Sequence, residues 1–453
     1  MKTERALVKY VLGAHFEDIP ETALETLKNV VLTVLGTTIA GAEEDGCESL
    51  VALYKGWGGK GEAGILIHGG KVPAQDAAFL NSVMARALDF CDAMAPGVHM
   101  GSSTVSVALA AAELAGGCTG REFLTALAAG TEIGARLNLS ESAYDGFDPT
   151  GVCAMFAATA VAGRILGLDE DGMSNALALA FNRCGGSFQS NIDGSLAVRV
   201  IQGWVSQNAL ICARFADAGV TGPRNFLEGV YGYFHLYGRD NVDVAAVVDG
   251  LGDRFELENT LFKKYPSCGL TLGSTEAVLN MMAAHDIRAE HIDRVEVVVP
   301  PYAHKLVGHP FEMGDNPRVN AQFSIQYCVA SALVRGKSTL QSFEAYAVKD
   351  LKVTALAEKV RVISDPGLDA RGHTALDMRV LIRDGKEYGT QMDIAPGFPG
   401  NPLTAEDHKQ RFQDCIASSP RPFSEEKANR IIEAVNRPAQ LEDVRELVSL
   451  MSA

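Results

Sequence analysis

The sequence predicts a mainly α-helical protein that carries a smaller α+β domain toward its C-terminal side. Three observations carry this reading. Residues 1–250 are rich in Ala, Leu and Gly and place most of their apolar side chains at helical spacing. Near residue 260 the texture changes to alternating, β-branched runs. Beyond Pro396, Gly397, Pro399 and Gly400 the helical pattern returns. At 453 residues the chain is also too long for one compact core.

Taken in order, residues 21–41 set Leu24, Leu27, Val30, Val31 and Val34 on one helical face, and Gly41 and Gly46 bracket the turn that follows. Residues 74–90 and 103–116 read as further helices, as do 150–166, 173–183 and 203–218. Their many Ala and Ser residues point to close helix–helix packing inside a bundle rather than to exposed helices. Residues 292–300, 358–364 and 376–383 have the strand pattern. Asp384-Gly385 is a hairpin turn signal, so 389–392 pairs back across it. A helix over 320–335 lies between the strands, and Thr404 stands as an N-cap ahead of Asp407. The expected division is a helical domain over 1–260 completed by 397–453, with an α+β domain over 261–396.

Composition removes several classes of function. Hydrophobic residues make up 47% and charged residues 21%, which argues against disorder. A net charge of −16 repels nucleic acid and anionic membrane, so neither is an expected partner. An anionic substrate then needs a local cluster of basic residues. The nine cysteines show no CxxC pair, which points to a reducing compartment. The first twenty residues lack a signal-peptide pattern, and no run approaches the ~18 apolar residues of a membrane span. The expected location is the cytoplasm. Gly59 to Gly64 fits GxGxxG, but a helical stretch precedes it and a strand-like one follows, the reverse of a dinucleotide site. His304 and His309 have no third ligand nearby in sequence, so no metal site is expected.

The segment 89–103 (DFCDAMAPGVHMGSS) concentrates chemistry. Asp89, Asp92 and His99 lie on a Pro/Gly loop after one helix, and Ser102 and Ser103 open the next, whose terminal amides suit an anion. Such a loop fits acid–base work on a carboxylate. From spacing alone the plainer reading leads: a solvated turn pair, with Ser103 as a cap.

Ordered motifs alter that balance. Pro73…Asp76-Ala77-Ala78…Asn81…Ala87-Leu88-Asp89-Phe90, Thr221-Gly222-Pro223-Arg224…Leu227-Glu228-Gly229, Phe262-Lys263-Lys264-Tyr265-Pro266, Ala321 to Tyr327 (AQFSIQY) and Asn401-Pro402-Leu403-Thr404 follow one another along the chain. This set resembles the MmgE/PrpD family, from about residue 5 to 415. The resemblance implies a large helical domain, completed by the C-terminal helices, and a smaller α+β lid with the active site between them. It implies chemistry like that of 2-methylcitrate dehydratase, cis-aconitate decarboxylase and iminodisuccinate epimerase: proton movement beside a carboxylate, without a metal or organic cofactor, in a homodimer.

By position, Asp89 matches the first motif aspartate, His99 the loop histidine, Lys263 the lysine of K-x-Y-P and Tyr327 the tyrosine of the S-x-Q-Y helix. His99 is then the expected base, oriented by Asp89 or Asp92, and Lys263 the positive charge or opposite acid. Lys263 also reads as a surface lysine at a domain boundary, and Tyr327 equally as core.

The departures are specific. Cys91 and Ala93 replace residues of the family's D-F-D-D-T, Met100 replaces a proline, Asp148 stands where a histidine is expected, and Val198 replaces a lysine beside Arg199. Each charge-assisted contact to a carboxylate is worth ~1.5–3 kcal/mol, so losing two disfavours a tricarboxylate. A small dicarboxylate is the expected substrate. Tyr144 is a candidate acid in place of the missing histidine, although packing is the commoner role for such a tyrosine. The expected outcome is a lyase; an epimerase by two-base transfer, or a non-catalytic scaffold, are the alternatives.

Overall fold

The computed structural model describes residues 2–452 apart from 141, 142, 194, 315, 420 and 422. Its contacts divide the chain into two units, residues 1–260 with 415–453 and residues 261–414. It is mainly helical, with one small mixed sheet in the second unit.

The first unit is a helical assembly. In order it contains α1 (Lys2–Gly13), α2 (Glu21–Gly41), α3 (Cys47–Trp57), α4 (Ala74–Arg86) and α5 (Gly101–Ala115). Next come α6 (Gly120–Arg136), α7 (Met155–Ile165), α8 (Glu170–Phe181) and α9 (Ala197–Asp217). Helix α5 is buried over most of its length among α2, α4, α6, α7 and α9, which explains its Ala/Ser/Val composition. Helix α2 is long and apolar enough to meet the length and hydropathy of a membrane span, contrary to the expectation that no segment does; 78% of that window is buried inside the protein. Its apolar character follows from packing on α4, α5 and α6. Helix α9 begins at Ala197, earlier than the expected 203, because Gly203 lies inside the helix. A side chain there would stand 2.7 Å from Phe79 and Val83 of α4, so this glycine permits a close crossing and does not mark an end. The C-terminal helices Glu425–Asn436 and Arg445–Met451 belong to this unit.

In the second unit β1 (Ile292–Val299) is central, with β2 (Val360–Ser364) parallel on one side and β3 (Leu376–Ile382) antiparallel on the other. Strand β4 (Glu387–Met392) completes the order β2-β1-β3-β4 by pairing across the Asp384-Gly385 turn. Ile292, Val295, Val297 and Val299 are the buried face of β1. They join one core with side chains of α10 (Gly269–His285) and α11 (Ile325–Arg335). The expected helix over 320–335 is two pieces, Pro317–Gln322 and Ile325–Arg335. Ser324 takes an extended conformation between them, and its hydroxyl accepts from the Tyr327 N–H at 3.2 Å as a new N-cap.

Helix α12 (Ala405–Ala417) starts at a reciprocal Thr404/Asp407 cap, with Asp407 N–H donating to Thr404 Oγ1 at 3.1 Å. The division at 414/415 places most of α12 in the second unit, whereas the sequence reading put everything after 396 with the helical domain. The reason is local: α12 packs His408 and Arg411 against Phe262 and Lys263.

Candidate active site

The loop between α4 and α5 is shaped by its first residues. Asp89 has φ +52, the left-handed region that Asp tolerates better than most side chains, at a cost of order 1 kcal/mol. Its carboxylate is held by Arg86 from the end of α4, Nη1 to Oδ1 at 2.6 Å. Arg86 is itself buried. Burial opposes its charge, but Asp89, Cys91 and Asp148 nearby prevail and hold its pKa above the ordinary arginine value. Met94 and Val98 bridge across the tip, where the Ala95–Pro96 peptide is cis.

This loop presents His99 with a defined ring orientation. Nδ1 lies 2.8 Å from the main-chain oxygen of Asp92 and 3.4 Å from Cys91 Sγ. A carbonyl oxygen only accepts, so Nδ1 carries the proton and the neutral ring keeps its lone pair on Nε2. The backbone at His99 is fixed from two directions. Its N–H donates to Thr150 Oγ1 at 3.1 Å, and its carbonyl accepts from Gln202 Nε2 of α9 at 2.7 Å. Gln202 is in turn bonded by Ser103 Oγ.

Asp92 meets the His99 ring through its main-chain oxygen. The carboxylate accepts from the Gly101 N–H at 2.9 Å, so a side chain of the protein takes the terminal amide of α5 that was expected to serve an anion. Ser102, expected to bind substrate, is wholly buried, and its hydroxyl has no hydrogen-bond partner among the described residues.

The 147–151 stretch, expected to hold an active-site group, adjoins His99 through Thr150. Asp148 Oδ1 accepts from the Thr150 N–H at 2.8 Å, at the start of the π-helical turn Thr150–Ala154. Burial raises the Asp148 pKa, against the lowering pull of the Thr150 amide and Arg86. Gly151 has no room for a side chain: a Cβ would stand 1.8 Å from the Gly185 oxygen. Tyr144, the candidate acid, donates to Asn138 Oδ1 at 2.5 Å and lies 3.5 Å from Cys153 Sγ. Burial pushes its phenol well above the usual range. It bears on the loop indirectly, since Asn138 Nδ2 donates to the Ala95 carbonyl at 2.6 Å. Arg199 donates to the Asp45 carbonyl at 2.7 Å, tying α9 to the turn after α2.

In the second unit Lys263 is buried, only 5% exposed, and its carbonyl accepts from Arg411 Nε at 2.6 Å. Its neighbour Lys264 is engaged by two carboxylates, Glu276 at 3.0 Å and Asp407 at 3.4 Å. Tyr327 lies in the core of this unit between Phe311 and Phe343, and its hydroxyl donates to the Ser342 carbonyl at 2.5 Å. Burial pushes its pKa up to about 12. That hydroxyl's proton is given to the main chain, which accords with the core reading of this tyrosine.

Sequence reasoning missed Arg86, Thr150, Gln202, His408 and Arg411. Arg86 lies inside the helix expected over 74–90, where a charged residue between two alanines was the available signal. Nothing in spacing points to His408 or Arg411.

Comparison with known proteins identifies the family. The MmgE/PrpD N-terminal domain model matches residues 5–244, and the MmgE/PrpD C-terminal domain model matches residues 265–437. A cis-aconitate decarboxylase of Aspergillus terreus is 24% identical, covering 96% of this chain and 93% of that protein. The cis-aconitate decarboxylase of Homo sapiens is 23% identical over 84% of this chain and 80% of its own. The 2-methylcitrate dehydratase of Escherichia coli (strain K12) is 25% identical over 97% and 94%. The chain belongs to the MmgE/PrpD family.

Proposed function

We propose that this protein is a lyase that removes a proton α to a carboxylate of a small dicarboxylate, with His99 as the base. The observation that carries the reading is the bond from His99 Nδ1 to the Asp92 carbonyl, which leaves Nε2 as the ring's proton acceptor. Nε2 takes the proton, and the electron pair passes into the carboxylate as an enediolate. The pair then forms the carbon–carbon double bond as the neighbouring group departs with its own electrons. A departing hydroxide takes one proton and leaves as water. Lys263 supplies the positive charge that the enediolate needs.

The relatives' names support the reaction class, since decarboxylation and dehydration are both lyase reactions. Their substrates are less transferable. Asp148 is spent on the Thr150 amide, and Val198 offers no charge, so two contacts to a third carboxylate are absent. As parts of the same proposal, the enzyme works without a metal or organic cofactor, in the cytoplasm, as a homodimer.

Proton NMR in D2O tests the reading with malate, tartrate, aspartate, cis-aconitate and 2-methylcitrate as a panel. New olefinic signals from a dicarboxylate are the expected result. Deuterium entering with the carbon skeleton intact would replace the lyase with an epimerase. No change in any compound, and no thermal shift with any, would favour a scaffold.

A further inference from the structure

We infer that Arg411 is a positioning residue for Lys263, an inference that rests on the catalytic role proposed for that lysine. Three residues on the first turns of α12 hold three consecutive residues, 262–264, at the start of the K-x-Y-P segment. His408, only 4% exposed, sets its ring edge-on to Phe262, with centroids 4.7 Å apart and planes at 88°. Arg411 donates from Nε to the Lys263 carbonyl at 2.6 Å, a short charge-assisted bond in a buried setting. Asp407 pairs with Lys264 at 3.4 Å. From another side, the Phe262 N–H donates to the Gly397 carbonyl at 2.9 Å.

The two adjacent lysines are thereby given different work. The Lys264 ammonium is neutralised by Glu276 and Asp407, and Tyr265 donates its hydroxyl to the same Glu276. That is a structural ion pair. Lys263 is buried, and its backbone carbonyl is gripped by a guanidinium. The grip is itself fixed, because Arg411 Nη1 lies 3.5 Å from His408 Nδ1. His408 must be neutral to accept there, and burial together with the Arg411 charge keeps it so. A displacement of about 1 Å at a reacting group costs on the order of a hundredfold in rate, so the backbone at Lys263 is a place where a distant arginine can act on turnover.

The test uses the full chain in four forms: wild type, Arg411→Lys, Arg411→Met and Lys263→Ala. Each is assayed for kcat and KM by conversion or deuterium entry with the five-compound panel named above, and for melting temperature. Lys263 acylation by an acetic anhydride pulse, read by mass spectrometry, gives a second readout. The inference expects Lys263→Ala to be inactive and Arg411→Met to lose about tenfold or more in kcat at near-constant KM, with a changed Lys263 acylation rate. Arg411→Lys is expected to recover part of that loss. An active Lys263→Ala overturns both the inference and the reading beneath it. An inactive Lys263→Ala, beside a folded Arg411→Met with wild-type kcat and acylation, overturns this inference alone. So does a lowered melting temperature in both Arg411 variants with kcat per folded molecule unchanged.

Discussion

Protonating His408 should cost the second unit its stability. The imidazole is buried against Phe262 with the Arg411 guanidinium beside it, and burial with that charge pushes its pKa from 6.5 down to about 3. The unfolded chain therefore binds this proton first. Stability contributed by the neutral imidazole is fully present above about pH 6.5, falls as pH drops through that value, and levels off near pH 3. One pKa unit is ~1.4 kcal/mol, so acidification from pH 7 to 5 removes about 2 kcal/mol, and pH 4 removes about 3 kcal/mol. A folded-state value one unit higher leaves the pH 5 figure almost unchanged. Urea denaturation of the wild type and of His408→Gln at pH 7, 6 and 5 isolates the term, because carboxylate titrations are common to both and cancel. The glutamine keeps an acceptor for Arg411 without titrating. The wild type should lose about 2 kcal/mol more than the variant between pH 7 and 5. Parallel curves, within about 0.5 kcal/mol, would refute the claim that His408 is held neutral.

Other outcomes follow from single contacts. Gly151→Ala should destabilise by about 1–3 kcal/mol, since its Cβ would stand 1.8 Å from the Gly185 oxygen; an unchanged calorimetric melting point would contradict this. Gln202→Leu removes the donor to the His99 carbonyl and the partner of Ser103, and should cost about 1–3 kcal/mol as well as turnover; wild-type turnover would show that His99 does not depend on this brace. Lys264→Met should lower stability by about 1 kcal/mol and keep turnover within about threefold, as an ion-paired structural lysine predicts, whereas Lys263→Met abolishes turnover; the reverse ranking would exchange their roles.

The sequence made the fold legible where one local signal dominates. Asp384-Gly385 marked the β3–β4 hairpin, and Thr404 with Asp407 marked the start of α12. It misled where tertiary contact overrides local pattern. Gly203 looks like a boundary yet lies within α9 because Phe79 and Val83 come so close, and Ser324 splits a helix that periodicity joins. In the site, the loop from Asp89 to His99 could be found from its residue types and the family motifs. Its internal wiring could not. Nothing in the spacing says that Asp92 serves His99 by its carbonyl and Gly101 by its carboxylate. The partners Thr150 and Gln202 come from helices far along the chain, as do His408 and Arg411 for Lys263. Such contacts follow from packing, not from periodicity. For Tyr327 the sequence allowed core and site alike, and its ring lies in the core of the second unit.

The central claim is that His99 takes a proton from carbon beside a carboxylate. Its most direct test is the rate of C–H loss from the active dicarboxylate in D2O, by proton NMR, for the wild type and for His99→Asn. The asparagine keeps a donor toward the Asp92 carbonyl but has no basic nitrogen in place of Nε2. The account predicts a fall of 10²-fold or more in the variant, with a similar melting temperature. A folded His99→Asn that releases the proton at the wild-type rate would contradict it.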